Sequence, residues 1–215
     1  MKYKNVIFDL DGTLLDTLKD LCSSVNATLD HFGFPTITLD QCRSYVGNAT
    51  EYLFRCALGD NADDETLRKA IEFYMPYYKL HSSDETCPYE GITELVKKLK
   101  EMGVGIALVS NKPEPVVIKL AEQYFPGMFA AAIGQTERIA RKPAPDTVFE
   151  AMKILGADKE NTVYIGDSEV DITTSKNAGI PCISVTWGFR SREHLIESGA
   201  GTIVNNTEEL LKALT

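Results

Sequence analysis

Three apolar runs in this chain stop at clusters of polar residues. Val6-Ile7-Phe8 stops at Asp9-Leu10-Asp11-Gly12-Thr13, and Val104-Gly105-Ile106-Ala107-Leu108-Val109 stops at Ser110-Asn111-Lys112-Pro113. Thr162-Val163-Tyr164-Ile165 stops at Gly166-Asp167-Ser168-Glu169-Val170-Asp171. Short continuous runs of this kind read as strands buried on both faces. Helical spacing fills the intervals: Ile92, Leu95, Val96, Leu99 and Met102 form one face closed by Gly103, and further helices are predicted over 116–125 and 146–155. Another helix follows Asp171 and is capped by Gly179. Strands over 129–133, 182–185 and 202–204 and a last helix over 207–214 complete the pattern. Alternating strands and helices imply an α/β fold with a doubly wound parallel sheet, whose ligands bind beyond the carboxyl ends of the strands.

Residues 15–85 break that alternation. Leu18, Leu21, Val25, Leu29 and Phe32 recur at helical spacing up to Gly33, and 39–58 and 64–80 also read as helical. Gly59 and the acidic stretch Asp60-Asn61-Ala62-Asp63-Asp64 separate the last two. Nothing in this block reads as a strand. The expected organisation is a core of 1–14 and 86–215 with an inserted all-helical unit of 15–85.

With 44% apolar and 25% charged residues, the 215-residue chain has an ordinary soluble composition and enough length for a real core. A formal charge of −9 without a basic stripe argues against nucleic acid or anionic membrane as partner. An anionic substrate would therefore need local positive charge from a metal and a few placed Lys or Arg. The five cysteines, Cys22, Cys42, Cys56, Cys87 and Cys182, are scattered and form no Cys-x-x-Cys pair, which suits free thiols in a reducing cytosol. No apolar run approaches the ~18 residues of a membrane span, and the chain enters its first strand at once. A cytoplasmic location is expected.

Strand alternation puts Asp9 and Asp11 on one side, and Gly12 lets the chain turn sharply away. Two carboxylates held this close repel and call for a cation, and hard oxygen ligands suit Mg²⁺. The plainer reading is an Asp-Gly turn after an edge strand. Ser110-Asn111 reads as a helix cap or as neutral donors to phosphate oxygens. Lys142 reads as a surface lysine, or as one held in place by the stiff Pro143-Ala144-Pro145 that follows. Asp167 and Asp171 read as helix-capping acids or as the remainder of an oxygen cage. His31, His81 and His194 lack ligand spacing. The segment Trp187-Gly188 to Arg190-Ser191-Arg192 is left open between a loop at the site rim and a surface turn.

Taken in order, Asp9-x-Asp11-Gly12-Thr13, Ser110-Asn111, Lys142-Pro143-x-Pro145-Asp146 and Gly166-Asp167-x-x-x-Asp171 resemble the four motifs of the haloacid dehalogenase-like hydrolase superfamily. Its core is a Rossmann-like sheet, and the block 15–85 is similar to its inserted helical cap. Val46-Gly47-Asn48, Leu108 to Pro113 and Trp187-Gly188-Phe189 resemble the phosphoglycolate phosphatase branch over nearly the whole chain.

The resemblance implies a Mg²⁺-dependent phosphatase acting through an aspartyl-phosphate. In that scheme Asp9 is the nucleophile and Asp11 the general acid and base. Mg²⁺ is held by Asp9, the Asp11 carbonyl and Asp167, with Asp171 orienting the site or a metal-bound water. Lys142 bridges Asp9 and a phosphate oxygen, while Gly12, Thr13, Ser110 and Asn111 complete the phosphate cradle. From its own chemistry, Asn48, at the Gly47-containing turn between two cap helices, reads as a contact to the leaving group or as a residue that only shapes the turn. The implied partner is a small phosphorylated metabolite, best matched by 2-phosphoglycolate, on a monomer or homodimer. Pyrophosphate or a nucleotide is an alternative substrate. A phosphohexose mutase shares the four motifs, but it carries an Arg where this chain has Gly47-Asn48-Ala49-Thr50. A phosphate-sensing module would not need Asp11, and dehalogenases of this fold lack that second aspartate.

Overall fold

A computed structural model describes residues 2–59 and 62–215. The chain divides into two compact units, one made of the residues up to Asp16 with Pro88–Thr215 and the other of Thr17–Cys87.

The first unit is built on β1 (Asn5–Phe8). Its later elements are α5 (Ile92–Glu101), β4 (Gly105–Pro113), α6 (Glu114–Tyr124), β5 (Ala131–Gln135) and α7 (Asp146–Leu155). Then come β6 (Thr162–Gly166), α8 (Glu169–Ala178), β7 (Cys182–Val185), α9 (Arg192–Glu197), β8 (Thr202–Val204) and α10 (Thr207–Leu214). Six strands form one sheet in the order β5-β4-β1-β6-β7-β8, and every pairing is parallel. Val6, Ile7 and Phe8 are wholly buried, as are Val163, Tyr164 and Ile165, because helices cover the sheet. On one face Ile7, Ala107, Val109 and Tyr164 pack with Val148, Ala151 and Met152 of α7 and with Ala178 of α8.

Register positions the site. Phe8 is level with Leu108 on one side and with Ile165 on the other. From that level the three central strands lead side by side into Asp9, Val109-Ser110 and Gly166-Asp167. Order and register together bring the three polar clusters to one edge of the sheet, where ligands of such folds bind.

Two short strands, β2 (Leu15–Asp16) and β3 (Cys87–Pro88), mark the ends of the insertion. The first corrects the expectation that 15–85 contains no strand: at two residues it is too short to show a period.

The second unit is helical: α1 (Leu18–His31), α2 (Leu39–Tyr45), α3 (Thr50–Leu58) and α4 (Asp64–His81). The stretch 39–58, read as helical, is two helices separated at Val46-Gly47-Asn48-Ala49. Val46 and Ala49 both adopt extended backbone, which ends α2 and starts α3 afresh. Thr38 and Gln41 form a reciprocal cap at the start of α2, and Asp63 accepts the Thr66 amide at the start of α4. Asp60 and Asn61 of the acidic linker lie outside the described residues. The centre of this unit is aromatic, with Phe54 edge-on to Tyr74 at 5.0 Å and Tyr74 stacked on Tyr78 at 5.2 Å. Buried Asp20 of α1 accepts the amides of Glu85 and Thr86, at 2.9 and 2.8 Å, so its charge is compensated by two donors.

Candidate active site

The β1 end supplies the first carboxylates. Asp9 is nearly buried, and its amide donates to the Ile165 carbonyl at 2.9 Å, which extends the β1–β6 ladder by one bond. Lys142 Nζ stands 2.8 Å from Asp9 Oδ1. Asp11 faces other partners: Lys112 Nζ lies 2.8 Å from its Oδ1, and Ser110 Oγ donates to its Oδ2 at 3.3 Å. The two aspartates thus have separate cations and different surroundings.

Lys142 is wholly enclosed. Besides Asp9, its ammonium donates to Asp171 Oδ1 at 2.8 Å and to the Tyr164 hydroxyl at 3.1 Å. Its backbone is fixed by Asn111, whose Oδ1 accepts the Lys142 amide at 2.8 Å while Nδ2 donates to the Lys142 carbonyl at 3.0 Å. The Asn111 side-chain amide is therefore spent on holding Lys142.

Asp171 accepts from five donors. Lys142 and Tyr164 donate to Oδ1, and the amides of Asp167 and Ser168 with the Ser168 hydroxyl donate to Oδ2. The capping reading and the functional reading meet in this residue: one oxygen caps α8 while the other binds the lysine that reaches Asp9. Thr13 Oγ1 donates to Asp167 Oδ1 at 3.3 Å, and the Phe189 amide donates to Asp167 Oδ2 at 2.7 Å. Gly12, at φ 78°, comes so close to Asp167 that no Cβ fits between them.

Oxygens of Asp9, Asp167 and Asp171 all lie within 4.8 Å of one another. The electrostatics of this crowding show in the pKa values. Burial, and then the charge of Asp171, push the Asp9 carboxyl well above its ordinary range against the pull of Lys142. The same two causes push Asp167 up to about 7. Burial works against the charge of Lys142, yet Asp171 and Asp9 outweigh it and hold the ammonium well above its usual value. Carboxylates buried together with too little positive charge fit a hard divalent cation. The carboxylate of Asp11 is not in this cluster, being turned to Lys112 and Ser110.

Of the residues predicted from sequence, Asp9, Asp11, Ser110, Lys142, Asp167 and Asp171 meet at the carboxyl end of the sheet, with Gly12, Thr13 and Asn111 packed among them. Asn48 stands in the helical unit, in the break between α2 and α3. Sequence reasoning missed Lys112 and Tyr164. Lys112 is two residues beyond Ser110, so alternation along β4 gives both the same side. Tyr164 is a hydroxyl-bearing residue in the middle of an apolar strand, a placement that asks for a polar partner.

A parallel α/β sheet with Asp9, Asp11, Asp167, Asp171, Lys112 and Lys142 gathered at its carboxyl end has the charged groups that phosphoryl transfer needs. The family model for the haloacid dehalogenase-like hydrolases matches residues 6–185, and the chain belongs to that family. It is 33% identical over 214 residues to a phosphoglycolate phosphatase of Pseudomonas syringae pv. tomato, covering 97% of this chain and 78% of that protein. The crystal structure of a chain assigned as a phosphoglycolate phosphatase from Lactobacillus delbrueckii subsp. bulgaricus superposes with a TM-score of 0.94 at 36% identity, covering 100% and 99% of the two chains. A predicted phosphatase from Clostridium acetobutylicum gives 0.88 at 31% identity, covering 100% and 99%. Among the described residues no helix is long and apolar enough to cross a membrane.

Proposed function

We propose that the protein is a Mg²⁺-dependent phosphatase that hydrolyses a small phosphate monoester, 2-phosphoglycolate first among the candidates, in the cytoplasm as a monomer or homodimer. The observation that carries the phosphatase reading is the division of labour between Asp9 and Asp11. Both leave the end of β1, but Asp9 is tied to Lys142 in a buried cluster, while Asp11 is tied to Lys112 and Ser110 at its edge. The relatives named as phosphoglycolate phosphatases support the choice of substrate.

An Asp9 oxygen attacks phosphorus as the bond to the ester oxygen breaks, and Asp11 delivers a proton to the departing oxygen. Water then attacks the phosphoaspartate, giving its proton to the Asp11 carboxylate, and the Asp9–phosphorus bond breaks to release phosphate. Lys142 fixes the Asp9 carboxylate and shares its charge. Asp171, by gripping Lys142 and capping α8, holds the cluster's geometry. Asp9, Asp167 and the Asp11 carbonyl would hold Mg²⁺, which supplies charge neutralisation for an anion approaching an anion. In this reading Thr17–Cys87 serves as the cap over the substrate, with Asn48 contacting the leaving group.

The test is a panel of phosphate monoesters, containing 2-phosphoglycolate, an aryl phosphate, a hexose phosphate, a nucleotide and pyrophosphate, assayed with Mg²⁺ and with excess chelator. Phosphate release from 2-phosphoglycolate with the highest kcat/KM, abolished by chelator, is expected. Full turnover in chelator would remove the metal, and a higher kcat/KM for another member would replace the substrate.

A further inference from the structure

The segment after β7 reaches into the site at three points. Trp187 Nε1 donates to the Thr13 carbonyl at 3.0 Å, tying the segment to the loop that follows β1. The Phe189 amide donates to Asp167 Oδ2 at 2.7 Å. Arg190, with its side chain 11% exposed, binds Glu169 at the start of α8 through Nε at 2.9 Å and Nη2 at 3.3 Å. Between the first two anchors Gly188 lies against Gly12 and Asp167. A Cβ at position 188 would collide with the Gly12 carbonyl oxygen and with the Cβ and Oδ2 of Asp167.

We infer that Trp187–Arg190 is a positioning strap for Asp167, and that Gly188 is needed there because the strap lies directly on that acid. The Phe189 amide takes Oδ2, and the other contact of the carboxylate, from Thr13 to Oδ1, is longer at 3.3 Å. Oδ1 is therefore the oxygen more readily released to a cation. A carboxylate offering one oxygen suits the tight octahedral shell of Mg²⁺ better than Ca²⁺, which accepts both oxygens in a looser shell. Outer partners that orient a ligand in this way typically change metal affinity by about 10–100-fold when removed. Of the segment left open from sequence, Trp187–Arg190 then belongs to the site, while Ser191 caps α9 and Arg192 binds Asn205; the strap rests on the reading that Asp167 binds a divalent metal.

The experiment measures Mg²⁺ and Ca²⁺ binding to the metal-free protein by calorimetry, with melting temperature as a second readout, for the parent, Gly188→Ala, Trp187→Phe and Asp167→Asn. The expected result is a Mg²⁺ Kd about tenfold weaker in Gly188→Ala. A smaller weakening is expected in Trp187→Phe, which keeps an aromatic ring there but loses the Nε1–H bond to Thr13 and part of the indole. The Ca²⁺ Kd should change less than the Mg²⁺ Kd in both. Folded variants that bind Mg²⁺ within twofold of the parent, even with a lowered melting temperature, would overturn the strap. Should Gly188→Ala fail to fold, Trp187→Phe alone decides. A parent that binds no Mg²⁺, or an Asp167→Asn variant that binds it as well as the parent, overturns instead the metal reading on which the strap depends.

Discussion

Lys112 Nζ stands 2.8 Å from Asp11 Oδ1, with the lysine side chain 3% exposed and the aspartate 20%. A lysine is seldom this buried without a partner, and here the partner is the proposed acid and base of the reaction. Replacing Lys112 with Met keeps the stem and leaves Asp11 without that cation. Loss of one member of a mostly buried pair should lower stability by about 1–3 kcal/mol. Turnover should fall at least tenfold because Asp11 is no longer held. Thermal denaturation and steady-state hydrolysis of an alkyl phosphate check both, and unchanged turnover would show that Lys112 serves the fold alone.

Asp9→Asn should abolish hydrolysis while the protein keeps or gains stability at neutral pH. The reason lies in the raised pKa of Asp9: burial and Asp171 disfavour its charge, and a neutral amide of the same shape does not meet that penalty. Residual activity within tenfold of the parent would remove Asp9 from the nucleophile role. A collapse in melting temperature would show the carboxylate to be structural.

Asp167 gives a pH dependence with a definite sign. Its carboxyl is pushed up to about 7 in the folded protein, against about 3.9 in an unfolded chain. Between these values the folded state holds a proton that the unfolded state has released, so stability of the metal-free protein should fall as pH rises through that window. Asp9, raised in the same direction, adds to the trend. Mg²⁺ competes with those protons, so its stabilising effect should be larger at pH 8 than at pH 5.5. Melting curves at both pH values with and without Mg²⁺ check this, and an equal Mg²⁺ effect at the two would contradict it.

Asn48→Ala should reduce kcat/KM for 2-phosphoglycolate by about one to two powers of ten, if the amide donates one or two hydrogen bonds to the leaving group's carboxylate. Activity on a small aryl phosphate that lacks a carboxylate should change little. Proportional losses on both substrates, together with a lower melting temperature, would mean that Asn48 only shapes the break between α2 and α3.

The sheet was legible because its strands are buried on both faces. Cys182–Val185 and Thr202–Val204, and the helices Asp146–Leu155 and Thr207–Leu214, fall where their apolar spacing and Gly or Asn signals put them. Continuous apolar runs with clear stops leave little choice of assignment. Leu15–Asp16 and Arg192–Glu197 escaped because a two-residue strand and a six-residue helix are too short to display a period. β4 runs on to Pro113, past the expected end at Val109, because the Ser-Asn-Lys stretch stays extended to deliver Ser110 and Lys112. The carboxylates at the strand ends stood out as charges where a core strand stops. Their partners did not. The pairing of Lys112 with Asp11 and of Lys142 with Tyr164 depends on how separate segments meet in space, which no local spacing encodes.

The level register of β1 against β4 and β6, with Phe8 beside Leu108 and Ile165, makes the chemistry sensitive to length more than to identity. Side chains in a strand alternate, so deleting one residue from Asn5–Phe8 would exchange its two faces and draw Asp9 and Asp11 back by about 3.3 Å. Insertions beyond Asp16, by contrast, leave that count untouched. A chain so arranged can lengthen, shorten or replace the helical segment between Thr17 and Cys87 over evolutionary time without re-aligning its reacting groups. What it cannot absorb in the same way is a frame shift of a single residue in the four-residue strand β1.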